Sequence, residues 1–582
     1  MADVDKKELE GPKIGRRTAS KLLGAAGLGT ATGLAGCTGG NSSSDGSGEA
    51  SDTAGDTGQS QSSGGSIKAG WAFDSVEVLD PHYVDLWQQI TIFSNVFSGL
   101  VKLGPSGEIV GDVAKDWTLP DETTYEFTLR EGVTFHNGDT LDASAVKWSM
   151  ERLMGLDDSP HVGKMSSVSS VEAPDATTLR VNLSEPTAPF ITFMTRGPGR
   201  AGTIVNKTAV ENDPEAYKRM PVGSGPFELT ERESGEYLRL EAFDDYFETD
   251  DDGNSLPYLD AVRIDLIPEP STMSSALSTG GIQYTDELPP QRAKQASGGD
   301  GGLAVTGANA GEWSCVSMLC NDPASAEWRD KQAYASGNEE PVSRWEERDL
   351  PTANVKVRKA VAKAIDREEL VSKAYFGFAE PAHSILNPAI AWAYDEQPDN
   401  AQMHDPEGAK QLLDEAGYTG ETRFSGRILG TPTDKRVMTV LQQQLSRVGI
   451  DAELDIQQES SFWDNIYRYN HMFQIYGGGG DIDPWMSWWK QLRTPEQDGS
   501  SGAWQKNLYS SEEFDSLLQQ SFVTPDKDKR VELVKQAEQR FLKDAPFAMT
   551  TFPLTPKGRT SELQNVGNQV GLSNFHRAYL DE

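Results

Sequence analysis

Residues 424–456 read FSGRILGTPTDKRVMTVLQQQLSRVGIDAELDI, and the hydrophobic period changes twice along them. Residues 424–429 fit a strand. Residues 435–448 carry Val437, Val440, Leu441, Leu445 and Val448 at helical spacing, and Gly449 closes the run. In 450–456 the inward set is Ile450, Ala452, Leu454 and Ile456, with acids between. Strand, helix and strand of these lengths predict a βαβ unit with a parallel crossover. Upstream, Asp405-Pro406 opens a helix that Gly417 ends, with Ala409, Leu412, Leu413 and Ala416 on one face. Downstream, the pattern predicts a helix over 461–469 and another strand over 472–476. Together these predict an α/β lobe with a parallel sheet over residues 313–547.

That last strand runs into Gly477-Gly478-Gly479-Gly480-Asp481-Ile482-Asp483-Pro484-Trp485. In open α/β sheets, ligands sit beyond the carboxyl ends of the strands. Glycines let the chain turn sharply and let a ligand approach the backbone. A solvated turn is the plainer account of such a run. A phosphate loop fails, because no Gly-Lys-Ser/Thr follows. Position favours a ligand loop, with Gly479 and Gly480 at the turn and Asp481, Asp483 and Trp485 as candidate contacts. Asp483, next to Pro484, also reads as the cap of a following helix. Trp463, Trp392 and Phe73 complete the ligand-binding candidates as aromatic walls, while Trp488 and Trp489 read equally well as wall or core.

The amino terminus sets the location. Arg16-Arg17 precede a short apolar run over 22–35 that ends in Leu34-Ala35-Gly36-Cys37. Twin arginines before such a run read as a twin-arginine export signal. The segment resembles a lipoprotein signal, with cleavage before Cys37 and lipid on its thiol. An uncleaved membrane anchor is the competing account, but a span needs roughly 20 strongly apolar residues. Residues 37–65 then read as an acidic Gly/Ser linker. The expectation is a body tethered to the outer face of the cytoplasmic membrane.

Lys plus Arg number 53 and Asp plus Glu 89, a net charge of −36. That argues against nucleic acid as a partner, which needs a positive face. Hydrophobic residues are 37% and tryptophans 13, so the chain has enough apolar matter for folded cores. Dense surface carboxylate on an ordinary core suits a salty exterior, because at about 1 M salt the Debye length is near 3 Å. Besides Cys37 there are Cys315 and Cys320, in a stretch over 313–321 that reads as a buried strand. Five residues along a strand span roughly 16 Å, beyond the ~7 Å limit for a bridge, so both read as small buried hydrophobes. The seven histidines form no metal-ligand spacing, and no metal or cofactor is expected.

Several ordered motifs then carry a family resemblance. Leu79-Asp80-Pro81 and Val96-Phe97-Ser98-Gly99-Leu100 come first. Ala114-Lys115-Asp116-Trp117 leads through residues 125–135 to His136-Asn137-Gly138. Val222-Gly223-Ser224-Gly225-Pro226-Phe227 follows, then Val357-Arg358-Lys359-Ala360 with Ala364-Ile365-Asp366-Arg367, and residues 405–418. The chain resembles a family 5 extracellular solute-binding protein, of the oligopeptide, dipeptide and nickel type. The resemblance implies an α/β, two-lobed periplasmic-binding-protein-like fold with a cleft between the lobes and an additional third domain. It implies lobe I from 66–97, 221–312 and 548–582, an inserted domain over 98–220, and lobe II over 313–547. It also implies a monomer that binds a small solute, with a peptide first and an oligosaccharide second, and delivers it to the permease and ATPase subunits of an ABC importer. Two departures stand out. Residues 323–351 form an acidic insertion. Peptide binders of the family place an aspartate four residues before the loop proline, whereas Asp481 precedes Pro484 by three.

Two other functions have some support in the sequence. Ser144-Ala145-Val146-Lys147 has the S-x-x-K spacing of serine acyl-enzymes. No Ser-Asp-Asn or Lys-Thr-Gly accompanies it, and helix capping by Asp142 or Ser144 explains the residues. The chain is therefore read as no enzyme. A receptor that signals to a membrane sensor would use the same closure as an importer.

Overall fold

The computed structural model describes residues 64–84, 86–104, 107–298, 302–321, 350–479, 482–495 and 504–581. The expected signal, Arg16, Arg17, Cys37 and nearly all of the linker and of the 323–351 insertion lie outside the described residues.

The element that organises the rest is the strand Phe547–Thr560. Its first part pairs antiparallel with Trp313–Met318. Its second part pairs antiparallel with Leu303–Asn309. Residues 303–318 and 547–560 thus run side by side from one half of a 12-stranded sheet to the other. On one side lie Phe473–Gly478, Phe424–Gly430 and Ile450–Ile456. On the other lie Tyr284–Thr285, Ser66–Trp71, Ala261–Leu266, Tyr237–Ala242 and Phe227–Glu233.

The βαβ unit is as the sequence predicts. Phe424–Gly430 pairs parallel with Ile450–Ile456, Ile428 opposite Leu454. The helix Lys435–Arg447 buries Val437, Met438, Val440, Leu441 and Leu445. Gly449 follows with φ +86, where a Cβ would meet the Glu421 carbonyl at 2.7 Å, so glycine is required to end this helix.

Apolar burial divides with the sheet. One cluster gathers Val316, Leu441 and Phe473. Another gathers Trp71, Phe93, Leu240 and Ile264. A third surrounds Tyr125, Phe127, Met150 and Val181. It packs under a separate four-stranded sheet of Ala114–Asp121, Thr124–Leu129, Thr178–Leu183 and Val168–Glu172. Beside that sheet, the Asp142 carboxylate caps the helix Ala143–Met154 by accepting from the Ser144 and Ala145 N–H groups. The S-x-x-K spacing therefore sits at a capped helix start.

Several boundaries differ from expectation, and the strand expected over 313–321 is Trp313–Met318, which leaves Cys320 beyond it. The strand expected over 472–476 is Phe473–Gly478. Pairing of Ser314 with Gly477 and of Trp313 with Gly478 extends it into the glycines. The helix expected over 461–469 is Glu459–Tyr467. Cys315 and Cys320 are both free and buried. Among the described residues, no helix is long and apolar enough to cross a membrane.

Candidate functional site

The strand Phe473–Gly478 ends at the wall of a cavity of about 1020 Å³. Gly477, Gly478 and Gly479 line it. A Cβ on Gly479 would meet the Glu312 Cα at 2.6 Å, so the loop backbone lies directly on the crossing segment. Glycine here is set by close approach of two backbones.

Aromatic rings form a second wall. Trp485, Trp489 and Phe522 line the cavity. The Trp485 ring centroid stands 3.7 Å from that of Trp489 and 3.9 Å from that of Phe522. Trp463 lines it as well and is partly exposed, as does Trp504, whose ring carries the Lys490 ammonium at 4.8 Å. Trp488, by contrast, is buried against Phe514 as core.

Charge in the cavity is distributed by segment. Glu312, on the crossing between the sheet halves, lines it. Burial pushes its carboxyl above the ordinary range, and the nearby Glu287 adds to this. Asp434 is occupied at a helix start, accepting from the Thr431 N–H at 2.8 Å and hydroxyl at 2.7 Å. Lys164 and Arg200 line the cavity from a separate segment of the chain. Lys164 Nζ donates to the Gly199 carbonyl at 2.8 Å and so braces the loop. Arg200 is held at φ +67, a left-handed conformation that costs a non-glycine residue energy. His161 lines the cavity as well. Burial lowers its pKa, and its Nε2 donates to the Val84 carbonyl at 2.7 Å. Among the described residues, no group of three or more His, Cys, Asp or Glu side chains could hold a metal ion. The arrangement can enclose a solute between apolar rings, exposed backbone and charges of both signs.

The sequence candidates separate here. Gly479, Trp485 and Trp463 line the cavity. Gly480 and Asp481 lie outside the described residues. Asp483, Trp392 and Phe73 are not brought to the wall, each for a physical reason. The fully buried Asp483 carboxylate accepts from Arg530 Nη2 at 2.8 Å and from the Trp485 N–H at 3.0 Å. Trp392 Nε1 donates to the Ile482 carbonyl at 3.1 Å, and the Arg530 guanidinium lies 4.8 Å over its ring. Phe73 packs on the cluster around Trp71. Reading the sequence missed Glu312, Tyr375, Lys164 and Arg200, which also line the cavity. The glycine-rich run Gly197-Pro198-Gly199-Arg200-Ala201-Gly202 was a local signal for the last of these.

With this geometry in hand, comparison with known proteins gives consistent matches. The family model described as bacterial extracellular solute-binding proteins, family 5 Middle, matches residues 108–499. The glutathione-binding protein GsiB of Salmonella paratyphi A is 26% identical over 480 residues, 81% of this chain and 85% of that protein. The periplasmic binding protein DppA of Helicobacter pylori, solved with the peptide STSA, superposes with a TM-score of 0.64 at 25% identity, covering 89% of this chain and 99% of that one. The substrate-binding protein CtaP of Listeria monocytogenes shares the fold, with a TM-score of 0.73 at 22% identity over 89% of this chain and 100% of that one.

Proposed function

The chain belongs to family 5 of the bacterial extracellular solute-binding proteins, and from that premise we propose that it captures a short peptide and hands it to the permease of an ATP-driven importer. The observation that carries the peptide reading is the wall composition of the cavity. Three glycines offer open backbone at a strand end, where an extended peptide finds main-chain hydrogen bonds. Aromatic rings stand ready for apolar side chains. Glu312 and the Lys164–Arg200 wall place opposite charges in one cavity, which suits a zwitterion. Asp481, in the loop that follows, is the proposed partner of the peptide amino terminus. The relatives named for glutathione and for a bound peptide support the same class.

A second reading, an oligosaccharide, is favoured by the five tryptophans at the wall: Trp313, Trp463, Trp485, Trp489 and Trp504. Calorimetry with pooled di- to pentapeptides and with neutral oligosaccharides separates the two. Heat with the peptides alone supports the first reading, and heat with the sugars alone overturns it. Capture and release involve no covalent step in this account.

We also propose the division into lobe I (66–97, 221–312, 548–582), an inserted domain (98–220) and lobe II (313–547). The tether and the salt adaptation are proposals that rest on sequence. Cys37→Ser is expected to release the protein into the medium or to leave an uncleaved precursor. Fractionation tests this, and tight membrane retention of a correctly cleaved variant sinks the lipid anchor. The folded body is expected to lose stability as salt is removed, because a net charge of −36 repels itself once the Debye length grows toward about 10 Å at 0.1 M salt. Melting curves unchanged from molar salt to dilute buffer would count against that surface.

A further inference from the structure

Behind the strand-end loop lies an apolar contact whose buried centre is not part of the cavity lining. Ile482 is buried in one cluster with Leu103 and Val570, and Ile109, Ala389 and Met486 pack around them. Leu103 and Ile109 belong to the strands Val101–Leu103 and Ile109–Gly111. Val570 comes from the carboxyl-terminal segment. Ile482, Ala389 and Met486 belong to the half of the molecule that holds the strand end. Ile482 is not part of the cavity lining.

A second contact joins the same two sides. The Ala188 N–H donates to the Phe522 carbonyl at 2.7 Å. Trp485 and Met486 pack against the apolar cluster under the four-stranded sheet.

Both contacts stand on one rigid support. Arg530 Nη2 holds Asp483, the cap of the helix Pro484–Gln491, at 2.8 Å. Arg530 Nε donates to the Ser521 carbonyl at 3.0 Å, beside Phe522. Trp392 holds the Ile482 carbonyl. One buried guanidinium therefore fixes both places at which this half meets the other.

We propose that Ile482, Met486 and Phe522 form a closure clasp: they dock on Leu103, Val570 and Ala188 when the cleft shuts, and so set how long a captured solute stays. This rests on reading the cavity as a cleft that closes. Ile482 is a positioning residue, acting through the closed state and not by touching the solute. Burying it contributes only in the closed form, so its removal shifts the open–closed equilibrium. Closure around a solute then has two stabilising sources, the solute and the clasp.

The test uses the full-length protein with spin labels at Glu122→Cys and Gln443→Cys, both exposed positions. Electron–electron distances are measured with and without a pool of synthetic di- to pentapeptides. Ile482→Ala and Leu103→Ala are each expected to enlarge the long-distance population and to speed peptide release about tenfold, equivalent to about 1.4 kcal/mol. Val262→Ala, a cavity in a buried strand outside the clasp cluster, is the control. It should lower the melting temperature and leave the distances alone. The clasp is overturned if Ile482→Ala and Leu103→Ala leave distances and release unchanged, or if Val262→Ala shifts them equally. A wild-type protein with no short-distance population in either condition also overturns it. If the peptide pool leaves wild type unbound, the peptide reading fails alone, and the ligand-free distances still decide the clasp.

Discussion

Asp481→Asn is expected to weaken capture of a peptide with a free amino terminus by about 2–5 kcal/mol, roughly thirtyfold or more in affinity. The loop offers two carboxylates, and the structure engages one of them elsewhere. Asp483 is fully buried, paired with Arg530 and bonded to the Trp485 N–H, so it does not reach a solute without unpairing a buried cation. That leaves Asp481 as the loop's candidate for an ammonium group. In a shut cleft water is largely excluded, so such a pair is no weak surface bridge. The asparagine keeps the shape and removes the charge, and the melting temperature of the unliganded protein should stay within a degree or two. Calorimetry with one peptide and its amino-acetylated form closes a thermodynamic cycle. Acetylation should cost wild type as much as the mutation does, and cost the variant little further. Full affinity in both the variant and the acetylated complex would refute the ammonium pair and shift the weight to stacking on the tryptophans.

Asp483→Ala is expected to destabilise the protein itself by about 3–5 kcal/mol, because it leaves the Arg530 charge buried and without its partner. Loss of the cap on the helix Pro484–Gln491 adds about 1 kcal/mol. Asp483→Asn should cost less, since an amide oxygen still accepts the Trp485 N–H. Arg530→Met strands the opposite charge and should cost a similar amount. The double variant Asp483→Leu with Arg530→Met should recover much of the loss, since neither charge is then left alone in the core. Urea unfolding of wild type, Asp483→Leu, Arg530→Met and the double variant checks this. Strictly additive losses would show that the two side chains do not act as a pair.

The two aspartates mark where reading the chain stops. The βαβ unit over residues 424–456 was legible because local periodicity is a physical consequence of which face is buried. Val437, Val440, Leu441 and Leu445 are apolar because one side of the helix Lys435–Arg447 meets the sheet. The helix starts at Asp142 and Asp405 were legible because a cap acts within three residues of itself. The family was legible because its ordered motifs are spread over most of the chain, and the family model matches 108–499. The strand end over residues 473–478 was two residues longer than its pattern, because pairing with Trp313 and Ser314 carried it into the glycines.

The cavity wall was legible only in part. The run from Gly477 onward marks itself by composition, and Trp463 and Trp485 were candidates by nearness to it. Glu312, Lys164 and Arg200 come from distant segments of the chain, and although a glycine-rich run marks the loop at Arg200, nothing local says that the three face one space. Asp483 and Trp392 look like ligand residues in one dimension. Arg530, 47 residues beyond Asp483, turns both into supports. The sequence by itself determined what each local stretch would become, since helix, strand and cap are decided by neighbours along the chain. Tertiary structure alone decided which charges meet and which ring faces the cavity, because a buried charge takes the partner that is nearest in space.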